Sequence, residues 1–493
     1  MKREMFRKLM AVSLATVMTV GLAGCGEEAA PSTESKESKP AESKSEEPVA
    51  SSEEEDLGAY TVLKDANGNV YDLGGMEVII RDWWSSGERS EEPTKFEEAK
   101  YEYLDWAMET YNFTIKEVAI SDWGSAPQDF IDYVTTGGDD NNYVFTVRAD
   151  ASSTSAMYNG LMYDLSTLDR LDFSEAKFPR NKLHEVFTWG DKICAMHTGY
   201  AEPRTGMYFN KRLLTEAGID PDSIYEMQAN GTWTWQAWFD MMDKIQVDRD
   251  NDGKVDVAGF DANHGAVVCQ AVYSNYSEFV GKDANGAFVW KGEDPATIEA
   301  LEFYVEACKK YGYVHGEDET QWDFYKTAFE NGYCAFCPED EYAGTPGNFL
   351  ANEMNDEIGF AFFPKGPQAA DYINCWSDNP QVIPACYDAD KAWKIAFAYN
   401  IYTNDVPGYE GYQDLSAARK GKFDARSIDE TVAPMSDPAK GMVTYHGMVP
   451  NMNPYPDFIW AFNAGCESVQ ATIDGKKNEF ITLIDEANAA AGK

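Results

Sequence analysis

The pattern of apolar and polar positions predicts regular elements from residue 58 onward. A near-continuous apolar run from Met76 to Trp84 is typical of a strand buried on both faces of a parallel sheet. Strands are also predicted at 113–120 and 143–147, and helical spacing predicts helices over 97–111 and 130–134. An Asn-Gly turn at 67–68 predicts two short strands around it. Because strands and helices alternate, the sequence predicts an α/β layer with a parallel sheet.

Aromatic and charged residues follow the predicted strands directly. Ligands of α/β sheets bind beyond the carboxyl ends of the strands, so these residues are candidate ligand contacts. Sugars suit them, because aromatic rings stack on C–H faces and charged groups bond hydroxyls. The candidates are Asp82, Trp83, Trp84, Trp123, Arg148 and Asp150. Trp376 and Asp378 form a further pair, whereas Trp235, Trp238 and Trp393 are predicted to lie in the core.

The first 57 residues have the pattern of an export signal followed by a tether. Basic residues among positions 1–8 precede a short apolar stretch that ends in Leu22-Ala23-Gly24-Cys25. These four residues resemble the bacterial lipobox, which implies cleavage after residue 24 and a lipid on the Cys25 thiol. The alternative is a short transmembrane anchor with a chance Cys. Residues 25–57 are rich in Glu and Ser, so we expect a disordered acidic linker outside the cell membrane.

Composition limits the partners of the chain. A length of 493 residues, with 44% hydrophobic residues, suggests two or three packed units with a sizeable core. The net charge of −43 argues against a nucleic-acid partner and against adhesion to anionic lipid. With only 5 His, a His-rich zinc site is not expected. We expect a monomer.

The cysteines do not form a recognisable disulfide or metal pattern. Cys334 and Cys337 have CxxC spacing, but they lie in an apolar run that we interpret as a buried strand. In an exported chain we expect some pairing or an anaerobic setting for the cysteines other than Cys25. These are Cys194, Cys269, Cys308, Cys334, Cys337, Cys375, Cys386 and Cys466.

Several blocks, in order along the chain, resemble extracellular solute-binding proteins of bacterial ABC importers, family 1. The most specific block is Asn210-Lys211-Arg-Leu-Leu-Thr-Glu-Ala-Gly, and a Thr-Trp helix begins at Thr234. The resemblance is closest to the maltose-binding-protein-like group and covers most of 76–400. It implies a type II periplasmic-binding-protein-like α/β fold with two lobes, a hinge and a ligand cleft. We expect 58–198 and 376–428 in the first lobe, and 199–375 and 429–493 in the second.

The resemblance also implies cleft residues in the second lobe. Glu202 and Arg204 precede the Asn-Lys block, where sugar-binding members have a cleft acid. Tyr342 stands where members commonly place an aromatic ring that stacks on sugar. For Arg148 and Asp150, the resemblance implies polar sugar contacts.

An acidic loop after the Thr-Trp helix has the spacing of an EF-hand-type calcium loop. Carboxylates stand at positions one, three, five and nine, Gly253 stands at six, and the Lys254 carbonyl would bind at seven. Position twelve is Gly259 rather than Glu, so a closing bidentate ligand is missing. The carboxylates are Asp248, Asp250, Asp252 and Asp256. We expect a structural Ca²⁺, and the alternative is an acidic surface turn without an ion.

These observations predict an extracellular, lipid-anchored substrate-binding protein that delivers a carbohydrate, expected to be an oligosaccharide, to an ABC permease. The chain has no P-loop, no GxGxxG after a strand, no HExxH and no GxSxG, so we do not expect an enzyme. Two alternatives stay open. One is the same importer role with a peptide or other polar metabolite, and the other is a surface glycan-binding adhesin or glycan-active enzyme.

Overall fold

The computed structural model describes residues 60–181, 183–375, 379–442, 445–454 and 468–493. The strands within these residues are β1 Met76–Asp82, β2 Phe113–Ala119, β3 Asn142–Thr146, β4 Thr188–Trp189, β5 Lys192–Ile193, β6 Thr205–Asn210, β7 Ala258–Phe260, β8 Val280–Lys282, β9 Phe288–Trp290, β10 Cys334–Asp340, β11 Ile358–Phe362, β12 Asn374–Cys375, β13 Gln381–Val382 and β14 Gly441–Met442. The helices are α1 Lys95–Tyr111, α2 Ala126–Thr135, α3 Ala151–Tyr158, α4 Leu183–Val186, α5 Lys211–Glu216, α6 Ser223–Ala229, α7 Trp235–Ile245, α8 His264–Ser274, α9 Pro295–Tyr311, α10 Phe324–Glu330, α11 Phe349–Glu353, α12 Ala389–Tyr402, α13 Ser416–Lys420, α14 Ala425–Ser427, α15 Ala433–Met435 and α16 Val469–Ala490. The predicted signal and linker, with Cys25, lie outside the described residues, as do Trp376 and Asp378.

One four-stranded sheet, sheet A, is the predicted α/β layer. Its strand order is β13–β3–β1–β2, with β1 parallel to β2 and β3, and β13 antiparallel at the edge. Val78 and Ile80 of β1 are buried in a core shared with α1 and α12. A capping box between Thr94 and Glu97 begins α1, and Asn112 in left-handed conformation ends it. The predicted order of strands and helices is therefore confirmed.

The second four-stranded sheet, sheet B, has the order β11–β6–β10–β7. Strand β6 is antiparallel to β10 and β11, and β10 is parallel to β7. Cys334 and Cys337 lie on β10 with their thiols free and buried, which confirms the interpretation of this run as a buried strand. Trp235 and Trp238 of α7 are buried as predicted, and Trp393 is half-buried against the sheet A core.

The two short strands predicted around the Asn-Gly turn reduce to one bridge between Lys64 and Val70. The Asp65 carboxylate accepts hydrogen bonds from the backbone N–H groups of Asn67 and Asn69, both at 2.8 Å. Because these bonds close the turn on itself, the backbone gains its partners locally rather than from a ladder. The prediction of two strands is wrong here.

The segment 376–428, predicted as a return to the first lobe, contributes to both sheets. Strand β13 joins sheet A, and α12 packs against β2 and β3. Further on, Asp424 accepts hydrogen bonds from Lys211 and Tyr225, and the Ser427 hydroxyl accepts one from the Phe360 N–H. Residues 416–428 therefore pack on sheet B.

A short 3₁₀ segment, His446–Met448, contacts helices next to both sheets. On the sheet A side, Thr154 of α3 donates to the Gly447 carbonyl and Tyr158 donates to the Met448 carbonyl. On the sheet B side, the Tyr273 hydroxyl of α8 lies 3.4 Å from Nδ1 of His446. Among the described helices, none is long and apolar enough to cross a membrane.

Five of the described thiols are free, and they belong to Cys194, Cys308, Cys334, Cys337 and Cys386. Pairing is therefore wrong for these five, and the alternative of an anaerobic setting stays open. The side chain of Cys375 and all of Cys466 lie outside the described part of the chain.

Candidate functional site

The loop after β1 is built around Asp82, which is only 1% exposed. Its carboxylate accepts hydrogen bonds from the N–H groups of Trp84 and Ser85, at 3.2 and 3.0 Å, and from the Ser85 hydroxyl at 2.5 Å. Those bonds use both oxygens to hold the loop. Asp82, predicted as a ligand contact, therefore fixes the backbone that carries Trp83 and Trp84.

Trp83 and Trp84 form an edge-to-face pair with ring centroids 4.9 Å apart and planes at 84°. Trp83 is half-buried, whereas Trp84 is 56% exposed. Such a pair keeps the outer ring in one orientation. An exposed indole at the carboxyl edge of a sheet can stack on an apolar ligand face.

The loops after β2 and β3 bring Trp123, Arg148 and Asp150 together. The Arg148 guanidinium lies 4.1 Å from the centroid of the Trp123 ring, which is 62% exposed. Arg148 also pairs with Asp150 at 2.8 Å, and Asp150 caps α3 by accepting from the N–H groups of Ser152 and Ser153. The Nε of Arg148 is buried and has no hydrogen-bond partner in the described structure. Three predicted residues thus form one cluster, in which the N–H group at Nε of Arg148 can donate a hydrogen bond to a ligand.

At the carboxyl edge of sheet B, the start of β6 meets the end of β10. Arg204 donates to Asp340 at 3.5 Å, and the Thr205 hydroxyl donates to the other oxygen of Asp340 at 2.9 Å. Tyr342, which follows on a 3₁₀ turn, is half-buried, and burial raises the pKa of its hydroxyl. Arg204, predicted from the resemblance, is therefore next to the end of β10. The charge of Arg204 lowers the pKa of the Tyr342 hydroxyl, whereas the charge of Glu202 raises it.

Two glutamates at this edge were not predicted from the sequence. Burial, followed by the neighbouring charges of Glu202 and Asp340, raises the pKa of Glu341 to about 8. Burial and the Asp340 charge raise the pKa of Glu339 to about 7, although Tyr325 donates a hydrogen bond to its carboxylate. The available signal was an acidic run, 339–341, directly after an apolar strand.

A cavity of about 490 Å³ lies away from these edges. Tyr60, Tyr103 and Trp106 line it, together with Lys177. The Lys177 ammonium already donates hydrogen bonds to Asn404 and other partners, so it is not free to bind a ligand in this cavity. We therefore place the candidate site at the strand ends.

The acidic loop between α7 and β7 brings three carboxylates together. Asp248, Asp250 and Asp256 each offer an oxygen within 4.8 Å of the others. Asp252 is not in this group, and one of its oxygens accepts from the Lys254 N–H at 2.8 Å. Hard oxygen donors fit Ca²⁺. Gly259, at position twelve, lies in β7 and has no side chain to close the site.

Comparison with known proteins gives likeness in structure only. No protein-family model matches the chain, and no curated protein matches it. UgpB of Mycobacterium tuberculosis, solved with glycerophosphocholine, has a TM-score of 0.56 at 16% identity and covers 83% of this chain and 98% of its own. The cyclic α-maltosyl-1,6-maltose binding protein of Arthrobacter globiformis has a TM-score of 0.57 at 15% identity, covering 85% and 99%.

The GacH receptor of Streptomyces glaucescens, which was solved unliganded and with acarbose, has a TM-score of 0.53 at 14% identity and covers 83% of this chain and 99% of its own. These solved structures agree with the resemblance found in the sequence. The chain has their two-lobed α/β fold, as predicted.

Proposed function

We propose that this chain is the extracellular substrate-binding lipoprotein of an ABC importer. It captures a carbohydrate, in the form of an oligosaccharide, between its two lobes and delivers it to the permease subunits. It acts as a monomer and performs no covalent chemistry. Closure of the lobes on the ligand is a shift between open and closed populations.

The observation that carries this proposal is the Trp123–Arg148 cluster. An exposed indole offers a flat apolar face, and the buried Nε of Arg148 is a donor with no partner in the described structure. A sugar ring supplies both complements, an apolar C–H face and a hydroxyl acceptor. The names of the similar solved proteins point the same way, since two of them refer to a cyclic maltosyl-maltose and to acarbose.

Membrane attachment and the metal belong to the same proposal. Residues 1–24 are cleaved and Cys25 is lipidated, which keeps the protein at the outer face of the membrane. Replacement of Cys25 by Ser should release the protein into the medium. The carboxylates of Asp248, Asp250 and Asp256, with the Lys254 carbonyl, would hold Ca²⁺. The ion is structural, because the loop enters β7 at its amino end, opposite the carboxyl edge.

The test is small-angle scattering and thermal unfolding of the purified chain with calcium held constant. An oligosaccharide at a hundred times its Kd should stabilise the protein by about 2.7 kcal/mol and reduce its radius of gyration. Binding of peptides alone would keep the importer role and change the ligand. Release of reducing sugar from a polysaccharide, or binding without compaction, would contradict the proposal in favour of an enzyme or adhesin.

A further inference from the structure

Asp261, the residue after β7, is a buried carboxylate between two histidines. It is 1% exposed, and because β7 and β10 are parallel it lies at the carboxyl edge of sheet B. One oxygen accepts a hydrogen bond from the Ala262 N–H at 2.9 Å and lies 3.9 Å from Nε2 of His264. The other oxygen lies 2.8 Å from Nε2 of His315. A buried carboxylate is costly unless a cation compensates it, and these imidazoles are placed to supply the charge.

The contacts of His315 identify it as the charged imidazole. Its Nε2 faces the Asp261 carboxylate, and its Nδ1 lies 3.1 Å from the backbone carbonyl oxygen of Glu319. Both partners accept hydrogen bonds, so both ring nitrogens of His315 must donate, and this requires the imidazolium form. The hydrogen bond to Asp261 accordingly raises the pKa of His315 from its ordinary value of 6.5, although burial opposes this.

His264, at the start of α8, differs from His315 in its surroundings. Burial lowers the pKa of His264; the charge of Asp261 opposes this effect, and the charge of His315 adds to it. Its Nδ1 lies 3.9 Å from the Cys308 thiol of α9. His264 therefore stays neutral under conditions in which His315 is charged.

His315 lies in residues 312–323, the segment between α9 and α10, which we call the latch segment. Val314 is 87% exposed and Trp322 is 77% exposed, so these two apolar side chains do little to hold the segment in place. Its position then depends on a small number of polar contacts. The bond between His315 and Asp261 is the ionic contact that joins the segment to the end of β7.

Other titratable groups surround His315 on several elements. Within the latch segment, the Glu319 carboxylate accepts hydrogen bonds from the Gly316 N–H at 2.7 Å and from the Tyr313 hydroxyl at 3.2 Å. The charges of Asp261 and Glu319 both raise the pKa of His315. The neighbouring elements also contribute His264 of α8, Cys308 of α9, Tyr333 and Cys334 at the start of β10, and Lys326 of α10, which lies over the Trp322 ring.

We propose that His315 is a proton-controlled latch, which holds residues 312–323 on the carboxyl edge of sheet B at low pH and releases them at high pH. A neutral imidazole has one N–H, so His315 can then keep its bond to Asp261 or to Glu319, but not both. Because folding raises the pKa of His315, the latch is complete below pH 6.5 and is lost as the pH rises through the higher folded value. This inference goes beyond the proposed function, since no ligand takes part in it.

The experiment follows the imidazole and the latch segment separately in the purified chain. Nitrogen NMR of the imidazoles is practical because the chain has only 5 His. The signal that His315→Gln removes should titrate above pH 6.5 and should show two N–H groups on the acid side. Hydrogen exchange, corrected for the intrinsic rate at each pH, should show that the protection of residues 312–323 decreases about tenfold between about pH 5.5 and about pH 8.

Variants assign the switch to one imidazole. His315→Gln keeps an N–H donor for Asp261 but cannot titrate, so the protection of the latch segment should no longer depend on pH. His264→Gln is the matched control, because it changes the other ring beside the same carboxylate, and it should leave the dependence intact. The turn closed by Asp283 is an internal reference, whose corrected protection should not change with pH.

The outcomes decide for or against His315. A signal that titrates at or below pH 6.5, or pH-dependent protection that survives His315→Gln, would overturn the latch. Loss of the dependence in His264→Gln alone would assign the switch to the other histidine. If His315→Gln does not fold, Asp261→Asn provides a second test, because removal of the carboxylate should move the titration of His315 to lower pH. A titration that Asp261→Asn leaves unchanged would also refute the proposal.

Discussion

At the scale of single residues, Trp123 offers the most direct contact with a ligand. Its exposed ring lies beneath the Arg148 guanidinium, so removing it takes away a stacking surface and frees the arginine. We expect Trp123→Ala to weaken carbohydrate binding about tenfold, which corresponds to about 1.4 kcal/mol. Calorimetric titration measures this change.

The matched control is Tyr333→Ala, which removes a partly exposed ring just before the amino end of β10. Binding should stay within error for this variant. A loss as large as that of Trp123→Ala would mean that the exposed rings act through general stability.

Glu341 should also make stability depend on pH. Its pKa rises from 4.5 in the unfolded chain to about 8 in the folded protein, so the folded state holds the proton more tightly. Stability from this group is complete below the unfolded value and is lost as pH rises through the folded value. Glu341→Gln should therefore unfold at a higher temperature than the native protein at about pH 8, and this gain should shrink towards about pH 5.

Part of the slope should survive in this variant, because Glu339 acts in the same direction. If the melting temperatures of Glu341→Gln and the native protein run parallel across this range, the carboxyl group does not change its proton affinity on folding.

The candidate site illustrates what single residues reveal before a structure is known. Trp123, Arg148 and Asp150 could be placed together because each directly follows a parallel strand, and such ends share one edge of a sheet. The role of Asp82 could not be read in this way. Whether a carboxylate faces a ligand or its own loop depends on two backbone N–H groups whose positions follow from the turn. The raised pKa of Glu341 depends on burial and on the charge of Glu202, a residue distant in the sequence.

At the scale of elements, the acidic loop between α7 and β7 should respond to calcium. Three aspartates with converging oxygens lose mutual repulsion when a divalent cation binds, so Ca²⁺ should raise the melting temperature and a chelator should lower it. Asp250→Asn should reduce this response. The measurement is thermal unfolding over a calcium titration.

The chain contains a suitable control turn. Asp283 closes the loop between β8 and β9 by accepting from the N–H groups of Asn285 and Ala287, without a cluster of acids. Asp283→Asn should keep the full calcium response. A native protein that is indifferent to calcium would favour the alternative of an acidic surface turn.

Two glycines should respond in opposite ways to the same substitution. In β6, a Cβ on Gly206 would lie 2.3 Å from the Phe360 ring, so Gly206→Ala should destabilise the protein by about 1–3 kcal/mol. In α16, a Cβ on Gly475 would meet nothing within 4 Å. Gly475→Ala should therefore stabilise the protein by about 0.5–1 kcal/mol through helix propensity. Urea unfolding midpoints test both, and a shared sign would contradict the packing of β6.

The elements also differ in how well the sequence predicts them. Strand β1 could be predicted because a strand buried on both faces needs a continuous apolar run. Strand β6 is just as buried, but its antiparallel place between β10 and β11 depends on partners more than a hundred positions away. The prediction of a hairpin around Asn67 and Gly68 was wrong, because the Asp65 carboxylate accepts a hydrogen bond from the Asn67 N–H and so satisfies the turn locally.

At the scale of the whole molecule, the two-lobed fold was anticipated through a resemblance, whereas the path of the chain between the sheets was not. Residues 416–428 carry no apolar pattern that assigns them to one sheet. The side chains of Asp424 and Ser427 attach this segment to sheet B, because they accept hydrogen bonds from the Lys211 ammonium and the Phe360 N–H. Such polar contacts between distant segments have no periodic signal in the sequence.

Buried free thiols can report on local opening of the folded protein. Alkylation needs an accessible thiolate, and burial raises the pKa of Cys194 to about 11 and that of Cys308 to about 12. A buried thiol can therefore react only when the structure around it opens. Cys194 lies just after β5 and Cys334 lies on β10, and both are buried, so their labelling rates would measure the opening free energy of separate regions in one native sample.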